Sequence, residues 1–235
     1  MRLSLRAAYG TTTLAALLLV GCGGNDAKQR GAFVQFLQTR ILDKPGLRVP
    51  QLTDDERASF GRYADQYAII TDFNKAMDES VSPKLSQAMS AGSINSLEDL
   101  VSHRSQFEAA KQTIDAMNGA LGGDLAKADA AHGKLDQPAD VKVVYDKAFD
   151  RLVTKPAAAF RDVVPVMDKV LGKAIDLGSY IDAHRDAVHV SGSMIEASDP
   201  AVRSAINDKL QALQSSQGEV QAAQTRMREA AYGTN

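Results

Sequence analysis

The chain has no tryptophan, one cysteine and four histidines among its 235 residues. A lone thiol at Cys22 excludes an intrachain disulfide and any paired-cysteine zinc or redox motif, so stability has to come from packing. No Walker loop, dinucleotide fingerprint, H-E-x-x-H pattern or G-x-S-x-G elbow occurs. No apolar run reaches the roughly 20 residues of a membrane-spanning helix. Clusters of β-branched residues are scarce, which disfavours extensive sheet. The formal net charge is −2 and no basic, aromatic-rich patch stands out, which argues against nucleic acid as a partner. No cofactor motif is present.

What is there begins with a leader. Arg2 and Arg6 form a positive start, Leu14 to Val20 an apolar run, and Leu19, Val20 and Gly21 precede Cys22. This is the layout of a secretory signal, and the tetrapeptide resembles a bacterial lipobox. A lipobox is cut before its cysteine, whose thiol takes a diacylglycerol and whose new amine is usually acylated. Residues 1–21 are therefore expected to be a cleaved signal peptide, with Cys22 lipidated. Burying acyl chains gains roughly 0.8 kcal/mol per methylene, and more than one chain gives stable attachment. Gly23 stands where aspartate would resemble an inner-membrane retention signal. The expected location is the periplasmic face of the outer membrane in a diderm bacterium. Losing residues 1–21 removes Arg2 and Arg6, so 29 acidic residues face 25 basic ones and the net charge becomes −4.

Residues 22–28 read as a short lipidated tether, and residues 29–232 as one helical domain. Phe33, Phe36, Leu37 and Ile41 mark one face of a first helix, ended by Pro45-Gly46. Thr53 and Glu56 form a capping box. The helix that follows carries Phe60, Tyr63, Tyr67, Ile70, Met77 and Val81, with Asn74 in its seam as a register-setting device or a partly exposed position, and Ser82-Pro83 as a kink or an interruption near its end. Ser96 caps another helix, where Leu100, Phe107, Ile114, Leu121, Ala128 and Leu135 recur every seven residues. That stripe runs about 50 Å if unbroken. Gly122-Gly123 costs it roughly 1–2 kcal/mol against alanine, so a kink, a close crossing or a short break is expected there.

Asp136 and Pro138 open the next helix, with Val141, Tyr145, Phe149 and Leu152 inward, and Thr154-Lys155-Pro156 reads as the junction with its successor. Phe160, Val163, Met167, Val170, Ala174, Leu177, Ile181, His184 and Val188 then alternate by three and four, in phase on both sides of Pro165. The stretch 188–197 reads as a small hairpin or an irregular loop around Ser191-Gly192-Ser193. Asp199-Pro200 opens a last helix with Ile206, Leu213, Val220 and Met227 at intervals of seven. The expected architecture is all-α: an elongated antiparallel bundle of about five to six helices.

Several of these residues carry a family likeness. Gln29-Arg30, Ala32-Phe33 and Phe36-Leu37-Gln38 match a Q-R-x-A-F-x-x-F-L-Q opening. Further matches are Pro50, Leu52-Thr53, Phe60-Gly61, Tyr67-Ala68-Ile69, Ala130-Ala131-His132, Ala148-Phe149, Pro156-Ala157, Gly178 and Tyr180-Ile181. The chain resembles, over nearly all of residues 22–232, a family of uncharacterised bacterial lipoproteins typified by YiaF. The resemblance implies a helical envelope lipoprotein and brings no catalytic residues.

The chemistry-bearing candidates are few. Asp129-x-x-His132 resembles half of a di-iron ligand set, but its second half is missing. His184 falls on the seam and reads as a hydrogen-bonded residue at the bundle's end. Ser191 and Ser193 beside His184, Asp186 and His189 are ordinary turn chemistry without an elbow. No catalytic or metal-ligating residue is assigned, and the protein is expected not to be an enzyme. The favoured reading is a non-enzymatic module, tethered to the membrane by N-terminal acyl chains, that meets an envelope protein or the cell wall. The alternative is a periplasmic binding protein for an apolar or lipid-like ligand held between helices, with Met77, Met117, Met167 and Met227 lining a groove.

Overall fold

A computed structural model describes residues 23–91 and 96–232. Its elements are helical except for one hairpin, as the apolar periodicity requires. Helix α1 (Gly23–Phe36) continues into a π-helical turn, Leu37–Leu42. After an irregular loop come α2 (Asp54–Phe60) and α3 (Arg62–Ala76), the latter running through a second π turn, Met77–Val81, into α4 (Ser82–Ala91). Next are α5 (Leu97–Ser102) and α6 (Arg104–His132). Helix α7 (Ala139–Phe149) passes through a third π turn, Asp150–Thr154, into α8 (Lys155–Ala183). Strands β1 (Val188–Ser191) and β2 (Met194–Ala197) precede α9 (Pro200–Gln214) and α10 (Gln217–Tyr232).

The long rods alternate in direction. Ser80 of the α3–α4 rod meets Asp124 of α6, while further back Gln66 meets Gln137 beyond the end of α6. Arg104 at the start of α6 pairs with Asp182 at the end of α8, and His132 at its finish pairs with Asp146 of α7. Asp176 and Lys169 of α8 pair with Lys209 and Glu219 of α9 and α10. Helix α1 lies along α7, with Arg30 beside Asp140 and the Leu42 carbonyl beside Arg151. One continuous core joins these rods, and the stripe residues Leu100, Phe107, Ile114, Leu121 and Ala128 are all buried in it.

The cap signals perform as expected. Thr53 Oγ1 accepts from the Glu56 N–H at 3.2 Å and the Glu56 carboxylate accepts from the Thr53 N–H at 2.9 Å. Ser96 and Asp199 cap α5 and α9. The stretch 188–197 is the hairpin, not the loop: Ser191 pairs with Met194 across a two-residue turn. Gly192 supplies the positive φ, 58°, that a tight turn of this hand needs at its first central residue.

Other boundaries depart from the expectation. Gly23 to Lys28 are not a tether; they are the opening turns of α1, tied down at Asp26. The helix after the capping box breaks at Gly61, whose φ of 54° no other residue type adopts easily, instead of at Ser82-Pro83. The junction expected at Thr154-Lys155-Pro156 is not there, because the helix runs from Ala139 to Ala183. Pro83 and Pro156 each lie just after a π turn, whose wider hydrogen-bond ring relieves the clash of a proline with the preceding turn. At Gly122-Gly123, α6 continues unbroken, and a Cβ built on either glycine meets nothing within 4 Å. Burial of Leu121 and Ala128 on the same stripe outweighs the propensity cost. His103 divides α5 from α6, and Ser215-Ser216 divides the last helix, with Lys173 donating to Ser216 Oγ at 2.7 Å. Asn74 is the partly exposed position, and its amide donates to Asp78 of its own helix at 3.2 Å.

Candidate functional site

The residues assigned to the lipobox, Leu19, Val20, Gly21 and Cys22, lie outside the described residues. The segment directly after Cys22 is built into the bundle. The Asp26 carboxylate accepts from the Tyr63 hydroxyl at 3.2 Å and pairs with Arg62 Nε at 3.3 Å, while the Arg62 guanidinium sits 5.0 Å from the Tyr63 ring centre. One turn on, Arg30 pairs with Asp140 at 3.2 Å. The apolar face of α1 then docks through aromatic rings. Phe33 stacks on Tyr63 with centroids 5.6 Å apart, and Phe36 meets Tyr67 edge-on at 5.3 Å. Such pairs add about 0.5–1.5 kcal/mol each beyond their buried area.

The phenols inside this cluster all have partners. Tyr67 donates to the Pro50 carbonyl at 2.9 Å and Tyr145 to the Gln66 carbonyl at 2.7 Å. Burial pushes both phenols well above the ordinary tyrosine range, so they remain neutral donors. Gln66, one of the buried polar residues, also accepts from the Gln137 amide at 2.7 Å. The first described segment, α1, is thus joined to α3 and α7 by charge, hydrogen bonds and stacked rings together.

His132 belongs to this end as well, but its partner is not Asp129. Its Nε2 lies 2.8 Å from Asp146 Oδ1, and its ring stacks on Phe149 with centroids 4.2 Å apart. Lys142 Nζ reaches the other Asp146 oxygen at 2.9 Å. Partial burial works against the charged carboxylate, but the bonds from Lys142 and His132 outweigh it and hold Asp146 below the usual carboxylate range. Among the described residues, no three histidines, cysteines or carboxylates come together as a metal-ligand set.

At the far end of α8, His184 Nδ1 donates to the Tyr180 carbonyl at 2.8 Å and its ring lies on that of Tyr180, 4.2 Å away. His189 is exposed on β1, opposite Glu196. No hydrogen bond links Ser191 or Ser193 to either histidine among the described residues, so the serines serve the turn. The tip is instead held by Glu98, whose N–H donates to the Gly192 carbonyl and whose carboxylate accepts from the Gly192 N–H. Arg104 and Arg185 share Asp182 alongside, at 2.9 and 2.7 Å. Met194, beside the turn, is 68 % exposed.

Met117 is core, 1 % exposed, while Met77, Met167 and Met227 are half-buried on separate helices. Two features escape a reading of the sequence alone. One is the run of cations Arg40, Lys44 and Arg48, whose spacing by four is the available signal. The other is Arg151, whose guanidinium donates to the carbonyls of Leu42 at 2.7 Å, Gly46 at 3.2 Å and Lys44. Nothing local announces that role, because its acceptors lie more than 100 residues away. No described helix is long and apolar enough to cross a membrane.

Comparison with known proteins gives a consistent placement. The chain is 33 % identical to the uncharacterized protein YiaF of Escherichia coli K12 over 176 residues, which is 72 % of this chain and 73 % of that protein. The same figures hold for YiaF of Escherichia coli O157:H7 and of Shigella flexneri. No solved structure matches. A family described as "Protein of unknown function (DUF3053)" matches residues 10–228. With nearly the whole length matched, the chain belongs to the DUF3053 family.

Proposed function

We propose that this protein is a lipid-anchored, non-enzymatic module of the cell envelope, held by acyl chains on Cys22 and presenting its hairpin end to an envelope protein or the cell wall. The observation that carries the reading is the seat of α1. Its first residue, Gly23, directly follows the proposed acylation site, and Asp26 and Arg30 are already paired with Arg62 and Asp140. An anchor at Cys22 would leave almost no slack. The bundle would be held by the end where α3 and α7 begin.

The hairpin is at the other end. Residues 139–183 form one uninterrupted rod, about 65 Å long at 1.5 Å per residue. Asp140, near the anchored end, and the hairpin following Ala183 are separated by that length. A rod of this kind reaches across part of the space between a membrane and its surroundings without needing a flexible linker. The missing aspartate after Cys22 supports the outer membrane, inner leaflet.

Mass measurement of the protein extracted from membranes tests the anchor. A product beginning at Cys22 with diacylglycerol on sulfur and an acylated amine is expected, and Cys22→Ser is expected to leave the membrane fraction. A bare thiol, or a product that keeps Met1, overturns the reading. Photo-cross-linkers at Lys28 and Met194 test the orientation. Position 28 should label lipid and position 194 a protein or peptidoglycan; lipid labelled equally from both sites counts against it.

A further inference from the structure

The stretch Arg40 to Pro50 turns three cations toward one concave surface. With Pro45, Val49 and Pro50, the side chains of Arg40, Lys44 and Arg48 line a cleft of ≈ 660 Å³. Arg40 is partly engaged, 3.4 Å from Glu56 and 5.8 Å from the Phe36 ring centre. Lys44 and Arg48 have no carboxylate partner among the described residues, so both charges are free to meet a ligand. Asp150 and Glu229 lie on the neighbouring cleft with Leu42, Gly46 and Leu47, Asp150 paired with Lys155 at 2.9 Å, and the two carboxylates nearest the cations are occupied. Asp43 accepts from the Gln38 amide at 2.6 Å, and Glu56 belongs to the capping box.

The cleft is also stiff. Arg151 gathers the carbonyls of Leu42, Lys44 and Gly46 into one fork, and Tyr67 holds the Pro50 carbonyl. Gly46 turns the chain at a φ of 76°, and Pro45 and Pro50 restrict it further. A loop fixed at that many points has little freedom left to lose on binding, which is the condition for a weak set of contacts to become a site. Arg151 itself lies on the neighbouring cleft, and its part here is to fix the backbone. All this stands on a chain of net negative charge, so a general cationic character does not account for it.

We infer that this cleft binds a phosphate-bearing anion, with its charged oxygens on Lys44 and Arg48 and its uncharged part against Pro45, Val49 and Pro50. Guanidinium and ammonium groups together suit a phosphate: the planar fork gives two parallel hydrogen bonds and the ammonium a compact charge. The ligand can be a phospholipid headgroup or a soluble phosphate compound, and the inference does not depend on how the protein is anchored.

Calorimetric titration of the detergent-extracted full protein separates these sources. The probes are inorganic pyrophosphate, glycerophosphoglycerol as the deacylated headgroup of an anionic lipid, and glycerophosphocholine as its zwitterionic counterpart. Binding of pyrophosphate or glycerophosphoglycerol is expected, weakened about tenfold by K44E/R48E and less by K44Q/R48Q. The distant reversal K75E/K127E should stay within about twofold of the wild type. Circular dichroism checks the fold of each variant, and the neutralising pair serves if the reversal fails to fold. Tighter glycerophosphoglycerol binding identifies a lipid headgroup; tighter pyrophosphate binding identifies a soluble ligand. Neither anion binding the wild type, glycerophosphocholine binding as tightly as the anions, or affinities unchanged in both cleft variants overturns the inference.

Discussion

Glu98 and Gly192 hold each other twice. The Glu98 N–H donates to the Gly192 carbonyl at 3.1 Å, and the Gly192 N–H donates to Glu98 Oε2 at 3.1 Å. The turn of the hairpin is thereby fastened to the first turn of α5, across 94 positions of sequence. Gly192 uses its backbone in both bonds, and Glu98 uses its backbone in one and its carboxylate in the other.

Gly192→Ala should cost about 1–2 kcal/mol through its left-handed φ, because the space around a Cβ there is open. Glu98→Gln keeps an acceptor and should cost less, about 0.5 kcal/mol. Hydrogen exchange of the amides in residues 188–197 checks both: faster exchange in G192A than in E98Q is the expected order.

Glycines in α6 and α8 should respond in opposite directions. Gly123→Ala places a methyl in open space on a helix interior and should stabilise by about 0.5–1 kcal/mol. Gly178→Ala places its Cβ 3.3 Å from the Leu100 carbonyl oxygen and 3.4 Å from Leu100 Cδ2, where backbone would have to give. That change should destabilise by about 1–3 kcal/mol. Urea unfolding midpoints moving in opposite senses would bear this out; a shared direction would refute it.

Arg151→Met keeps the aliphatic stem and removes the fork, leaving the carbonyls of Leu42, Lys44 and Gly46 without their donor. A loss of about 2–4 kcal/mol is expected, together with rapid exchange across residues 42–50. Arg151→Lys cannot reproduce the geometry and should recover less than half of it. Thermal denaturation and exchange measured on the same samples check the pair.

Asp146 predicts a pH dependence. Its carboxyl is held below the usual range by Lys142 and His132 against the cost of partial burial, so the contribution is present above the ordinary carboxylate pKa. It is lost as pH falls through the lowered value. Asp146→Asn should therefore destabilise at neutral pH and converge on the wild type in strong acid. Because the carboxylate is 40 % exposed, solvent screening keeps the neutral-pH difference modest, within about 1 kcal/mol. A constant difference at every pH would contradict the assignment.

Much of this architecture is legible in the chain, and what is not has identifiable causes. Phe33, Tyr63, Phe107, Ile114 and Tyr145 announce burial by their spacing, and Thr53, Ser96 and Asp199 announce caps by their side-chain oxygens. These are local signals spread over one or two turns. The interruptions at His103 and Ser215-Ser216 have no such signal, since neither residue type forbids a helix. They follow from where α8 presents Asp182 and Lys173. The run through Pro156 reads as a boundary because proline removes a donor, a local rule that a widened turn circumvents. For the candidate site, the spacing of Arg40, Lys44 and Arg48 is visible in the chain, but the fork that stiffens their loop comes from Arg151, and only folding brings it there.

The widened turn at Asp150–Thr154 has one more effect. An extra residue within a turn rotates everything beyond it by about 100° around the axis. Before the turn, Tyr145 meets Phe33 of α1 and Phe149 stacks on His132 of α6; beyond it, α8 packs along α6, α9 and α10. A single shaft thus exchanges α1 for α9 and α10 as neighbours halfway along. Deleting one residue there would turn the two halves out of alignment with each other, so the spacing of this turn is what allows the aromatic end and the hairpin end to belong to the same molecule.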